Sequence, residues 1–192
     1  MCGRYTIFAD ENHAEMYKII GEIEAKYGPG AVSIGEIFPT NKAPVLAGTR
    51  DNITPQVMAW GFPQYSGTGR IINARAETAA EKPTFQKALE SRRCIIPTTG
   101  FFEWQQVAGQ KKKTKYLFTL AGCSMVYLAG LFDPNNRYYV ILTTKANEAM
   151  QPYHHRMPVI IAPDEVRDWI GNNGNTSAYL NRTPPPLTAA KA

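Results

Sequence analysis

Apolar positions recur along this chain in two rhythms, and the rhythms divide it. Between Asp10 and Tyr27 the residues Ala14, Tyr17, Ile20, Ile23 and Glu24 follow near-helical spacing, and Gly28-Pro29-Gly30 stops the pattern. A second helix is signalled by Thr78 as N-cap, then Pro83 and the amphipathic set Phe85, Ala88 and Leu89. Elsewhere the rhythm is that of strands. Tyr5–Phe8, Ile53–Trp60, Cys94–Pro97, Phe101–Val107, Lys115–Leu120, Met125–Phe132, Tyr138–Thr143 and Val159–Ile161 carry β-branched or aromatic residues between turn signals. Prolines and glycines from Pro39 to Gly69 predict a long irregular region around the short strand ending at Trp60. Asp133-Pro134-Asn135-Asn136 and Gly109–Lys113 read as hairpin turns, and Pro163–Ile170 as a short helix. The expected architecture is one α+β domain over residues 1–175, with mostly antiparallel strands in a curved, barrel-like sheet and peripheral helices. Residues 176–192, with Pro184-Pro185-Pro186, read as a proline-rich tail.

Composition narrows the class. The 192 residues are 44% hydrophobic and 19% charged, which suits a globular domain rather than a disordered chain. No run approaches the roughly 18 apolar residues of a membrane span, and the N-terminus lacks a secretory pattern. Three cysteines at wide spacing argue against a disulfide framework, so a cytoplasmic setting is expected. Cys94 and Cys123, in apolar surroundings, read as buried core thiols. The formal net charge of +5 permits a polyanionic partner without demanding one.

Four polar clusters interrupt the apolar pattern: Cys2 with Arg4; Asn73, Arg75 and Glu77, which share one face if extended; Glu103 among aromatics; and His154-His155-Arg156. Each has a bland reading as well: an exposed strand position for Glu103, a turn residue at Asn73, a solvated Arg75–Glu77 pair, a core histidine. His13 reads as a surface residue. No C-x-x-C or H-x-x-x-H spacing supports a metal site, and no P-loop or dinucleotide fingerprint is present. Cys2 is the unusual member. Removal of Met1 would place its amine and thiol on adjacent carbons, and such a 1,2-aminothiol condenses with an aldehyde to a thiazolidine. Ordinary pKa values of about 8 for the amine and about 8.5 for the thiol leave both nucleophiles usable near neutrality.

The ordered set Cys2-Gly3-Arg4-Tyr5, Asn41-Lys42-Ala43-Pro44, Trp60-Gly61-Phe62, Asn73-Ala74-Arg75-Ala76-Glu77-Thr78, Arg92-Arg93-Cys94-Ile95-Ile96-Pro97, Gly100-Phe101-Phe102-Glu103-Trp104, Ala129-Gly130-Leu131 and His154-His155-Arg156-Met157-Pro158 resembles the SOS response-associated peptidase (SRAP) family. The resemblance runs from Cys2 to about Trp169. It implies that the processed cysteine forms a thiazolidine with the ring-opened aldehyde of an abasic site in single-stranded DNA. This shields the lesion in the DNA-damage (SOS) response. Cys2 is then the double nucleophile, Asn73 holds the sugar, Glu103 is the acid–base group, and His154 donates a proton to the ring-opening oxygen. Arg4, Arg75 and Arg156 are implied to contact DNA, with Asn41, Trp60, Gly61 and Phe62 lining its path. Trp60 or Phe62 is expected to stack where the strand kinks. One departure is a residue fewer than usual between Trp60-Gly61 and Pro63. No cofactor or metal is implied, and a nucleoid-associated monomer with no membrane contact is expected. A lyase side activity, a thiol peptidase acting on its own N-terminus, and a non-catalytic DNA-binding module remain as alternatives. The peptidase needs the same three catalytic groups but has no use for arginines in three of the four clusters.

Overall fold

The computed structural model describes all residues except Met1, Ser66, Ala108, Gln110 and residues 172–175. Two curved sheets carry most of it. One has five strands in the order Thr188–Lys191, Thr114–Thr119, Gly100–Gln105, Tyr5–Ile7 and Gly35–Ile37, all antiparallel. The other closes on itself. Tyr138–Lys145, Ile53–Trp60, Lys42–Gly48, Arg93–Thr98 and Val126–Asp133 follow one another as neighbours, and the last pairs back with the first. The short strands Arg156–Pro158, Ile160–Ile161 and Asn73–Arg75 extend it. The barrel-like α+β architecture expected from the strand rhythm is the one observed.

Full burial explains why these segments read as apolar. Trp60 and Tyr139 have no exposed surface and stack at 6.4 Å with 4° between planes. Tyr5 from the other sheet meets Trp60 at 5.1 Å and its hydroxyl lies 2.5 Å from that of Tyr139. Aromatic rings thus join the two sheets through contacts that add to their area burial.

Helix Ala14–Tyr27, led by a 3₁₀ turn at Glu11–His13, buries Met16, Ile19, Ile20 and Ile23. The phase differs from expectation, since Tyr17 faces solvent at 67% exposure. Gly28, at φ 91°, ends the helix by donating its N–H to Glu24 O, a conformation open to glycine. His13 finds a partner three residues earlier, its Nδ1 lying 2.8 Å from Asp10 Oδ1.

Several expectations are corrected. Thr78 is not the cap of the second helix but ends a 3₁₀ turn, Ala76–Thr78; helix Pro83–Ser91 starts after Lys82, because proline suits the first helical position. Strand Ile53–Trp60 has the expected bounds, with Pro55 inside it, but the stretch before it, read as irregular, holds a second long strand, Lys42–Gly48, with Pro44 inside. Lys42–Gly48 meets Arg93–Thr98 through the single bridge Leu46↔Ile95, so no ladder donor is demanded of Pro44 on that side. Cys123 lies in a turn and is exposed, whereas Cys94 is buried as expected. The turn expected at Gly109–Lys113 includes Gln110, outside the described residues; Lys111–Lys113 are exposed.

The segment expected as a tail is bound to the domain. Strand Thr188–Lys191 pairs with Thr114–Thr119, and Asn147 Nδ2 donates to the carbonyls of Pro184 and Pro185 at 3.3 and 2.9 Å. Arg93, only 3% exposed, donates to Trp169 O at 2.5 Å and to Thr176 Oγ1 at 2.5 Å. Thr176–Asn181 is a short helix; Pro184-Pro185-Pro186 end helical structure, but the backbone there still finds partners.

Candidate active site

Strand pairing sets the first residues of the chain between Gly35–Ile37 and the central strand Gly100–Gln105 of the five-stranded sheet. Tyr5 pairs with Phe101 and Ile37, and Phe102 N–H donates to Arg4 O at 2.9 Å. Cys2 is therefore delivered beside the strand that carries Glu103, and has no exposed surface. Its thiol lies 3.9 Å from Arg4 O. Burial first, and then the Glu103 charge, push the thiol well above the ordinary range.

Asn73 reaches Cys2 from the other sheet. Strand Asn73–Arg75 runs parallel to Tyr138–Lys145, pairing Asn73 with Ile141, and Asn73 Nδ2 donates to Cys2 O at 2.9 Å. That bond fixes the amide orientation, because the carbonyl can only accept. Asn73 Oδ1 is buried and unpartnered, leaving one acceptor for a donor on a ligand.

Glu103 is 4% exposed, so the edge-strand reading fails. Its side chain shares a face with Phe101, Tyr116 and Phe118, set by the register Glu103↔Tyr116 and Phe101↔Phe118. Burial raises its carboxyl above the usual carboxylate range. Tyr153 packs edge-on against Tyr116 at 4.7 Å and Phe118 at 5.0 Å, which sets the following residue, His154, over the face that carries Glu103.

His154 is neutral in preference, since burial lowers its pKa. The N–H of Arg156 donates to His154 Nδ1 at 2.9 Å, so the neutral ring carries its proton on Nε2 and presents a donor there. His155 stacks on it at 4.4 Å and is itself exposed.

The arginines divide. Arg156 is 8% exposed and forms a two-pronged pair with Glu77 at 2.6 and 2.8 Å, with a further bond to Thr143 O at 2.6 Å. Glu77 thus pairs with Arg156, not Arg75, because the chain turns into a 3₁₀ helix after Arg75 and the three residues share no extended face. Arg75 is exposed and has no ion pair among the described residues. Arg4 lies over Phe38 at 3.5 Å and pairs with Glu36 at 2.6 Å, while its Nε is buried without a partner.

The expectation that Trp60 stacks on a base is corrected. Its ring is enclosed by Tyr5 and Tyr139 and its Nε1 donates to Ile72 O at 3.0 Å, so no face is open. Phe62 is 8% exposed and packs on Phe85 at 6.3 Å. Gly61, at φ 111°, turns the chain where a Cβ would meet Arg70 Cβ at 2.9 Å. Asn41 caps the turn before it, accepting from Phe38 N at 2.9 Å.

The accessible aromatics lie elsewhere. On the face of the sheet opposite Glu103, Phe38 is 45% exposed and Trp104 is partly exposed. Arg4 lies 5.7 Å and Lys115 5.9 Å from the Trp104 ring, and Lys115 pairs with Glu36 at 2.7 Å. Reading Glu103 alone hides this group; strand alternation puts Phe102 and Trp104 on the reverse face, a period-two signal already present in the sequence.

Fold and site together define a single-domain α+β protein with one cysteine, an amide, a buried acid and a histidine gathered where two sheets meet. Among the described residues no three ligating side chains cluster in a way that would hold a metal. The family described as SOS response associated peptidase (SRAP) matches residues 1–191. This chain belongs to that family. It is 32% identical over 203 residues to the abasic site processing protein YoqW of Bacillus subtilis (strain 168), spanning 98% of this chain and 88% of that protein. The abasic site processing protein YedK of Escherichia coli (strain K12) is 26% identical over 181 residues, spanning 88% and 79%. A crystal structure of a Bacteroides thetaiotaomicron protein superposes with a TM-score of 0.79 at 21% identity, spanning 99% of this chain and 91% of that one.

Proposed function

We propose that this protein processes abasic sites in single-stranded DNA by covalent capture on Cys2 once Met1 has been removed. The observation that carries the reading is Asn73's grip on the Cys2 carbonyl, which holds the residue by its main chain. That grip anchors the Cα of Cys2, from which both amine and thiol project, beside the open acceptor of Asn73. The names of the relatives, abasic site processing proteins, point to the same substrate.

The amine adds to the aldehyde carbon of the ring-opened sugar, and loss of water gives an imine. The thiol then adds across the C=N bond and its proton passes to nitrogen, so the sum is one thiazolidine and one water. Glu103, held toward its protonated form by burial, supplies the proton that lets water leave. Its carboxylate then accepts the proton of a thiol that burial keeps un-ionised. His154 Nε2–H faces the sugar oxygen as the ring opens, and Asn73 Oδ1 accepts from a sugar hydroxyl. Arg75, exposed on the strand that carries Asn73, and Arg4, two residues after Cys2, hold the phosphates of the DNA.

Against a thiol peptidase stands the proton on His154 Nε2: the ring nitrogen that would serve as base already accepts from Arg156. The test is a denaturing gel after mixing the protein with an oligonucleotide carrying one abasic site. A shifted band that Cys2→Ala removes is expected. No band from protein whose mass shows Met1 gone would overturn the proposal.

A further inference from the structure

A cavity of about 590 Å³ opens between the C-terminal end of the first helix and the outer face of the strand ring. Tyr27, Lys42, Val57, Arg70, Arg137 and Tyr138 are among its lining residues, and every charged side chain lining it is cationic. None of Lys42, Arg70 and Arg137 has a carboxylate partner among the described residues. That contrasts with Arg4 and Arg156, whose charges are met by Glu36 and Glu77. Three like charges around one concavity repel one another, and the arrangement is relieved by an anion.

The cations are also aimed. Arg70 lies over the Tyr138 ring at 4.8 Å. Arg137 lies 5.4 Å from the Tyr27 ring, donates to Tyr27 OH at 3.2 Å and donates through Nε to Val57 O at 3.2 Å. Its backbone sits at φ 56°, a left-handed conformation that glycine or asparagine adopts more cheaply than arginine. The chain carries arginine there, and its guanidinium points into the cavity. Tyr138 starts the strand that pairs with Asn73 three residues later at Ile141, so the cavity lies on the order of 10 Å along that strand from the Cys2 site.

We propose that this cavity is a second, non-covalent subsite that binds the phosphate of a nucleotide, with Lys42, Arg70 and Arg137 as its cations and the two tyrosine rings as apolar walls. The source is either the DNA strand whose abasic site Cys2 holds, as the preceding reading implies, or a mononucleotide. The subsite needs no covalent chemistry, so Cys2→Ala protein and DNA lacking an abasic site test it separately.

The experiment compares Cys2→Ala protein with the same protein carrying Lys42→Ala and Arg70→Ala. One arm measures binding to an intact single strand across a salt series; the other measures thermal stabilisation by a mononucleotide. For a strand source, the double variant lowers the slope of log affinity against log salt by about 1.4, two contacts at about 0.7 each, and Arg70→Lys restores its share. For a mononucleotide source, the strand slope is unchanged, but the stabilisation is lost in the variant. Unchanged slope together with unchanged or absent mononucleotide stabilisation overturns the subsite.

Discussion

At the scale of residues, the site works by opposite shifts of its titrating groups. Burial raises Glu103, so the folded chain holds a proton there that the unfolded chain releases. Its contribution to stability is therefore present below the unfolded pKa and is lost as pH rises through the folded one. Glu103→Gln is expected to raise the melting temperature near neutral pH, with a gain that shrinks as pH falls through the carboxylate range, and to slow adduct formation. A melting series over pH checks the first, and a gain that grows in acid would contradict it. The arginines differ in the same local terms. Arg75→Ala, exposed and unpaired, is expected to lower the salt slope of single-strand binding by about 0.7. Glu77→Ala strands a buried guanidinium, an effect of ~3–5 kcal/mol for fully buried pairs, reduced here because Glu77 is a third exposed. Urea unfolding of that variant should show a lower midpoint, and His154 should lose its fixed orientation because the N–H of Arg156 holds its ring.

At the scale of elements, much is legible because burial on both faces writes continuous apolar runs, as in Val126–Asp133 and Tyr138–Lys145. Cys2, Asn73, Glu103 and His154 stand out as polar breaks in such runs. What stays hidden depends on partners distant in sequence. Pro44 reads as a breaker because nothing local tells that a ladder donor is not needed there. Trp60 reads as a surface aromatic because its enclosing rings, Tyr5 and Tyr139, come from far along the chain. The pairing of Arg156 with Glu77 is hidden because the two lie 79 residues apart. The C-terminal segment reads as a tail because its four-residue strand gains meaning only beside Thr114–Thr119. Truncation after Pro186 removes four cross-strand pairs, each worth ~0.2–1 kcal/mol. The melting temperature is expected to fall by ~2–4 °C per kcal/mol lost, with the Cys2 site still able to react. An unchanged melting curve would show that the strand adds nothing.

At the scale of the whole molecule, the two sheets build one site between them. The five-stranded sheet supplies Cys2 and Glu103, and the closed ring supplies Asn73. His154 enters on the loop that Tyr153 anchors. The chemistry therefore depends on the sheets staying joined through Tyr5, Trp60 and Tyr139, and Trp60→Ala is expected to cost ~3–5 kcal/mol of stability rather than a single DNA contact. The central claim is that amine and thiol of one residue both bond to the same carbon. Intact mass spectrometry of the adduct tests it most directly, using processed protein beside protein with a glycine inserted between Met1 and Cys2. Processed protein should give the summed mass of protein and oligonucleotide less one water, and after unfolding only Cys94 and Cys123 should take up an alkylating agent, because an imine has the same mass but leaves the Cys2 thiol free. The extended protein, whose amine has become an amide, should bind the strand but give no such adduct. An extended protein that forms the same adduct as fast and as stably would contradict the thiazolidine.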